Sequence, residues 1–146
     1  MIVFITTMLS LFGCNSNRVL LPDYIDKECY YGKEFRDYTD FCKYYYDSSD
    51  CIEKFKNHSE FSEVKNSDID NIRSYFLDFE TYVESQVYYD HYDFDCQTQI
   101  KEGDFFYITT KEGQSVGSSH YEKFDSYDVF YMDTQKCILY FIHSNK

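Results

Sequence analysis

The chain has 146 residues, 43% hydrophobic and 21% aromatic, with 17 Tyr, 14 Phe and no Trp, and its 14 Lys and Arg face 26 Asp and Glu for a formal net charge of -12. That length suits one domain with a real core, and a tyrosine-rich interior implies rings whose hydroxyls still need polar partners. A field of this sign repels nucleic-acid phosphate and anionic head groups, so it argues against DNA or RNA binding and for basic proteins, cationic peptides or metal cations as partners; no run reaches the roughly 18 to 20 apolar residues of a membrane span.

Met1 to Leu11 is an uncharged apolar run diluted by Thr6, Thr7 and Ser10, followed by Gly13, Cys14 and the polar Asn15-Ser16-Asn17. In this setting Leu11-Phe12-Gly13-Cys14 resembles the signal of bacterial lipoproteins. The resemblance implies a signal peptide over residues 1–13, cleavage before Cys14, and a diacylglyceryl group on the Cys14 thiol with further acylation, palmitate included, on the new amine. It also implies a lipidated tether over residues 14–26 and a place on the extracytoplasmic face of the cell membrane. Two or three acyl chains, each worth about 0.8 kcal/mol per buried methylene, suffice for stable anchoring. The other reading of the same run is a buried N-terminal strand or helix with Cys14 as a core cysteine. Residues 1–17 hold no Asp, Glu, Lys or Arg, so cleavage would leave the whole charge on the mature domain.

Beyond the segment around Pro22, no Gly/Ser/Pro-rich break or internal repeat divides the chain, and residues 27–146 read as a single domain. Tyr31, Phe35, Tyr38, Phe41 or Cys42, and Tyr45 recur at spacings of three and four, which predicts an aromatic helical face. A short helix is expected from Ser49 toward Asn57. A longer helix begins at Ser67 or Asp68, with Ser67-x-x-Asp70 as a capping box and Ile69, Ile72, Phe76, Phe79 and Val83 on one stripe. From Val87 the period becomes two and β-formers dominate, predicting strands over Val87–Phe94, Asp104–Thr110, Tyr127–Met132 and Lys136–His143, the last two joined by a turn at Asp133-Thr134-Gln135. Helices first and strands later predict an α+β domain, its N-terminal helices packed on one face of a C-terminal antiparallel β-sheet.

Apart from Cys14, five cysteines remain, so two bridges and one thiol are the most that one chain can form. In an exported protein, Cys96 and Cys137 would join two strands while two of Cys29, Cys42 and Cys51 staple the helical half. No CxxC pair or zinc-ligand spacing occurs. Strand alternation would put His91, Asp93 and Asp95 on one face as weak metal ligands, though same-face neighbours lie roughly 6.5 to 7 Å apart and a solvated strand face explains them better. Asp68 and Asp70 lack the glycine and distant glutamate of a calcium loop. Gly113-Gln114-Ser115-Val116-Gly117 matches the G-x-S-x-G nucleophile elbow, but no helical period follows, and Lys111-Glu112-Gly113 reads as a turn. No motif calls for a cofactor. These residues point to a membrane-anchored acidic interaction domain for a basic partner, inhibitor- or immunity-like, with a small envelope hydrolase using Ser115 or a histidine and carboxylate pair as the alternative.

Overall fold

Asp26–Lys33 and Tyr38–Tyr45 are sheet rather than helix. The computed structural model describes residues 19–33, 37–110 and 124–146. In chain order the elements are β1 (Asp26–Lys33), β2 (Tyr38–Tyr45), α1 (Cys51–Lys56), β3 (Ser62–Glu63), α2 (Asn66–Val83), a 3-10 turn at Val87–His91, β4 (Phe105–Thr110), β5 (Ser126–Asp133) and β6 (Ile138–Asn145). The six strands form one sheet in the order β1-β2-β6-β5-β4-β3, antiparallel throughout. Among the described residues α2 is the only helix longer than six residues, so the fold is mostly β and the expectation of N-terminal helices on a C-terminal sheet is overturned.

The physical reason lies in residues that satisfied two periods at once. Tyr31, Tyr38, Phe41 and Tyr45 fit a helical spacing, but the stretches around them are rich in Tyr, Phe, Thr and Cys, which favour pleated backbone. On β2 the alternation sends Thr39, Phe41 and Lys43 to one face and Cys42 and Tyr44 to the other. β2 pairs with β6 from Tyr38↔Asn145 to Tyr45↔Ile138, and so covers an edge that β6 would otherwise leave open. Gly32 fits this packing because a Cβ there would fall 2.7 Å from Thr39 Oγ1 and 2.9 Å from the Tyr88 ring.

One face of the sheet packs under α2. Ile72, Tyr75, Phe76, Phe79 and Val83 turn inward at spacings of three and four and meet Phe41, Tyr127, Val129, Tyr131, Tyr140 and Ile142 from the strands. Each such ring or branched chain contributes roughly 1.5 to 3 kcal/mol by leaving water. The expected stripe is there, with Ile69 at its partly buried rim. The cap has moved two residues upstream: the Asp68 carboxylate accepts the Lys65 backbone N–H at 2.9 Å, in place of a box built on Ser67 and Asp70. Asp70 pairs instead with Arg73 at 2.6 Å.

The segment expected as the strand Val87–Phe94 is the 3-10 turn followed by irregular chain. Tyr88, Tyr92 and Phe94 pack into the core under α2, and Val87 stands 94% exposed, a pattern that no two-residue alternation describes. The loop before β4 is tied down by buried Asp104, which is hydrogen-bonded to the Tyr131 hydroxyl and accepts the Thr134 N–H at 3.0 Å and the Thr134 hydroxyl at 2.6 Å.

The opposite face has a second, smaller core. Tyr46, Cys51, Phe55, Phe61, Phe105, Phe130, Met132, Cys137 and Leu139 form it, and Val19 and Leu21 pack against it. The chain at residues 20–23 is held there by three contacts: the Tyr46 hydroxyl donates to the Pro22 carbonyl at 3.3 Å, Lys54 donates to the Asp23 carbonyl at 3.0 Å, and His58 Nε2 lies 2.7 Å from the Leu20 carbonyl. The β5–β6 connection places Cys137 at φ 53, a left-handed conformation. Its carbonyl accepts the Tyr46 N–H at 3.0 Å.

Candidate functional site

The half of this second face beyond α1 carries a row of polar side chains from five adjacent strands. Successive register pairs Tyr31↔Asp40, Asp40↔His143, His143↔Asp128 and Asp128↔Thr109 bring β1, β2, β6, β5 and β4 into one line. At its centre His143 Nδ1 lies 2.5 Å from Asp128 Oδ1, with the two side chains 22% and 18% exposed. Tyr38 stacks on the imidazole with ring centroids 6.0 Å apart and an interplanar angle of 15°. Burial disfavours the charged ring, but the hydrogen bond and charge of Asp128, together with the charge of Asp40, outweigh it and raise the imidazole above its ordinary value.

The next row of the same face is apolar. It runs from Cys29 and Cys42 to Phe141, Phe130 and Tyr107, with the Phe130 and Phe141 rings stacked at 4.5 Å. At the β1 end two tyrosines are open to solvent, Tyr31 at 60% and Tyr38 at 42%. The site therefore joins carboxylates, a carboxylate-oriented imidazole and amphipathic rings on a pleated surface. Asp128 fixes the ring through Nδ1 and leaves Nε2 as its second polar atom, so the pair can exchange a proton or hold a fixed positive charge.

Of the bridges expected from the sequence, the one within Cys29, Cys42 and Cys51 is present and the one between Cys96 and Cys137 is not. Cys29 and Cys42, directly opposite on β1 and β2, form one disulfide, and Cys51 of α1 joins Cys137 in the β5–β6 turn. The expected Cys96–Cys137 bridge is thus corrected: residues 94–100 pack under α2, on the other side of the sheet from Cys137, and Cys96 is a buried free thiol. Burial, then the charge of Glu80, pushes that thiol up to about 11, the opposite of a reactive thiolate.

His91, Asp93 and Asp95 do not share a face, because they leave the 3-10 turn along irregular chain. His91 stacks on Tyr30 at 4.5 Å. Asp93 binds Lys43 Nζ at 3.1 Å. Asp95 accepts the Gln97 N–H at 3.0 Å and the Thr98 hydroxyl at 2.8 Å. Lys43 also meets Glu28 at 3.3 Å; burial alone would lower its pKa, and Asp93 with Glu28 reverses that into a raised value. No group of three His, Cys, Asp or Glu among the described residues is placed to hold a metal ion, and no described helix is long and apolar enough to cross a membrane. Cys14, the Gly113–Gly117 motif with Ser115, and His120 lie outside the described residues.

The expected hairpin does not bring Asp128 and His143 together: a turn at Asp133-Thr134-Gln135 would set Asp128 opposite Tyr140, whereas the longer connection through residues 134–137 pairs Asp133 with Ile138 and Asp128 with His143. Asp40 and Tyr38 carried no signal, because helical spacing describes their stretch as well as alternation does. Comparisons with protein families, with curated proteins and with solved structures find no match for this chain.

Proposed function

We propose that this chain is a lipid-anchored, non-enzymatic binding domain of a cell envelope that engages a basic protein, in the manner of an inhibitor or immunity protein. The observation that carries this reading is the excess of carboxylates: a net charge of -12, with Lys43, Lys54, Arg73 and Lys146 each already set against a carboxylate of the chain itself. Those cations do little to offset the outward field, and such a field accelerates encounter with a cationic surface and rejects anionic ones. Exposed tyrosines beside carboxylates add ring contact to the charge. The N-terminal resemblance supports the anchor and the place.

Two measurements test it. Intact mass of the membrane-fraction protein, wild type against Cys14→Ala, should give a chain beginning at Cys14 with added acyl mass that the variant loses along with membrane retention. An unmodified chain still carrying Met1 would refute the anchor. Titration of the purified domain with a polylysine peptide should show binding that weakens steeply with salt, since exposed charges beyond about 10 Å are screened at 0.1 M. Salt-independent binding, or none, would refute the electrostatic partner.

One observation favours a second reading, a small hydrolase: the carboxylate-oriented imidazole at Asp128 and His143. It predicts turnover of an activated ester that Asp128→Asn reduces at least about a hundredfold, the usual contribution of a positioned base. Equal background rates in both proteins would dismiss it.

A further inference from the structure

We infer that the outer edge of β1 receives an extended segment of the basic partner, which adds to the sheet as a seventh strand. This rests on the binding reading above and deepens it by naming the surface. Of the two sheet edges, β3 offers two residues while β1 offers eight. Among the described residues nothing pairs with β1 on the side away from β2.

The direction of its backbone groups follows from one distance. Cys29 and Cys42 are direct register partners with Cα atoms 4.1 Å apart, close to the roughly 4.5 Å of a non-hydrogen-bonded pair and well short of the 5.5 Å of a bonded one. Odd positions of β1, which are Lys27, Cys29, Tyr31 and Lys33, therefore turn their N–H and C=O outward, the Lys27 N–H being taken by the Asp26 carboxylate at 2.8 Å, while Asp26, Glu28, Tyr30 and Gly32 bond to β2. The Ile25 N–H also reaches the Tyr45 carbonyl, at 2.8 Å, so the irregularity that would guard this edge is confined to its start. From Glu28 to Tyr31 the edge has neither proline nor bulge.

The side chains bordering the edge state what should lie there. On the face shared with α2, an added strand meets Asp26, Glu28 and Asp93, the last two with side chains 46% and 58% exposed. On the other face it meets the Cys29–Cys42 disulfide and Tyr31, with Lys27 toward the start. The matching segment alternates Lys or Arg with apolar residues, so that main-chain bonds supply affinity and the alternation supplies choice. A second copy of this chain is the poorer occupant, because it would join two bodies of charge -12.

The test uses a peptide of about eight residues alternating Lys and Val, against one of the same composition with the Lys and Val in separate blocks. For the wild-type domain at low salt, the alternating peptide should slow amide exchange at Cys29 and Tyr31 and bind more tightly than the blocked one. Tyr31→Pro removes one outward donor and leaves the β1–β2 bonds intact, and should weaken binding about tenfold. The wild-type exchange pattern decides the matter even if that variant folds poorly. Binding of both peptides without protection at those amides would overturn the edge and leave the acidic-domain reading standing. No binding of either peptide would overturn both. A peptide-free dimer broken by Tyr31→Pro would put a second copy on the edge and overturn the heterologous occupant.

Discussion

His143 is the titrating group of the candidate site, and the sign of its effect follows from its partners. Its folded pKa is raised by Asp128 and Asp40 against the opposing effect of burial. The stability it contributes is therefore fully present below the unfolded value of about 6.5 and lost as pH rises through the higher folded value. His143→Gln should cost about 1 to 2 kcal/mol near pH 5.5 and progressively less toward pH 9, read from urea unfolding at each pH. A cost that does not vary with pH would mean that the ring acts by packing alone. At this scale the sequence was legible to within a few residues where a residue acts with its chain neighbours: a cap at the start of α2 was expected on Ser67 and Asp70, and Asp68 supplies it. It was not legible where the partner comes from another strand: Asp93 reads as a ligand until Lys43 of β2 is placed beside it.

At the scale of elements, the hairpin β5–β6, strand β4 and helix α2 followed from local pattern, because each keeps one period over enough residues to decide it. β1 and β2 did not. Aromatic residues three and four apart also fit alternation loosely, and only the unpaired side of β6 resolves the ambiguity. The two disulfides tie these same elements together, and their sequence separations rank them. Cys51–Cys137 closes 86 residues and Cys29–Cys42 closes 13, so loop-closure entropy gives about 5 and about 3 kcal/mol as upper figures. Replacing both cysteines of the first pair by Ala should lower the urea midpoint more than doing so for the second. The reverse order would show that the unfolded chain is already constrained near Cys51, or that the β1–β2 bridge holds more native structure than its short loop implies.

The whole molecule carries its charge as a cost. A net charge of -12 on one domain repels itself, and among the described residues ion pairs hold Lys43, Lys54, Arg73 and Lys146, so added salt should screen more repulsion than attraction. The melting temperature should rise between low salt and about 0.15 M, where the Debye length is about 8 Å. A fall on adding salt would mean that pairs such as Lys43 with Glu28 and Asp93 dominate the balance. This net charge, the abundance of tyrosine and the resemblance at Cys14 come from composition and local order, since they depend on which residues are present and on their immediate neighbours. The six-stranded order, the Cys51–Cys137 bridge, the row through Asp40, His143 and Asp128, and the open edge of β1 were decided only by the tertiary structure. Each depends on which strand lies beside which, and pairing between segments far apart in the chain leaves no periodic trace in either segment alone.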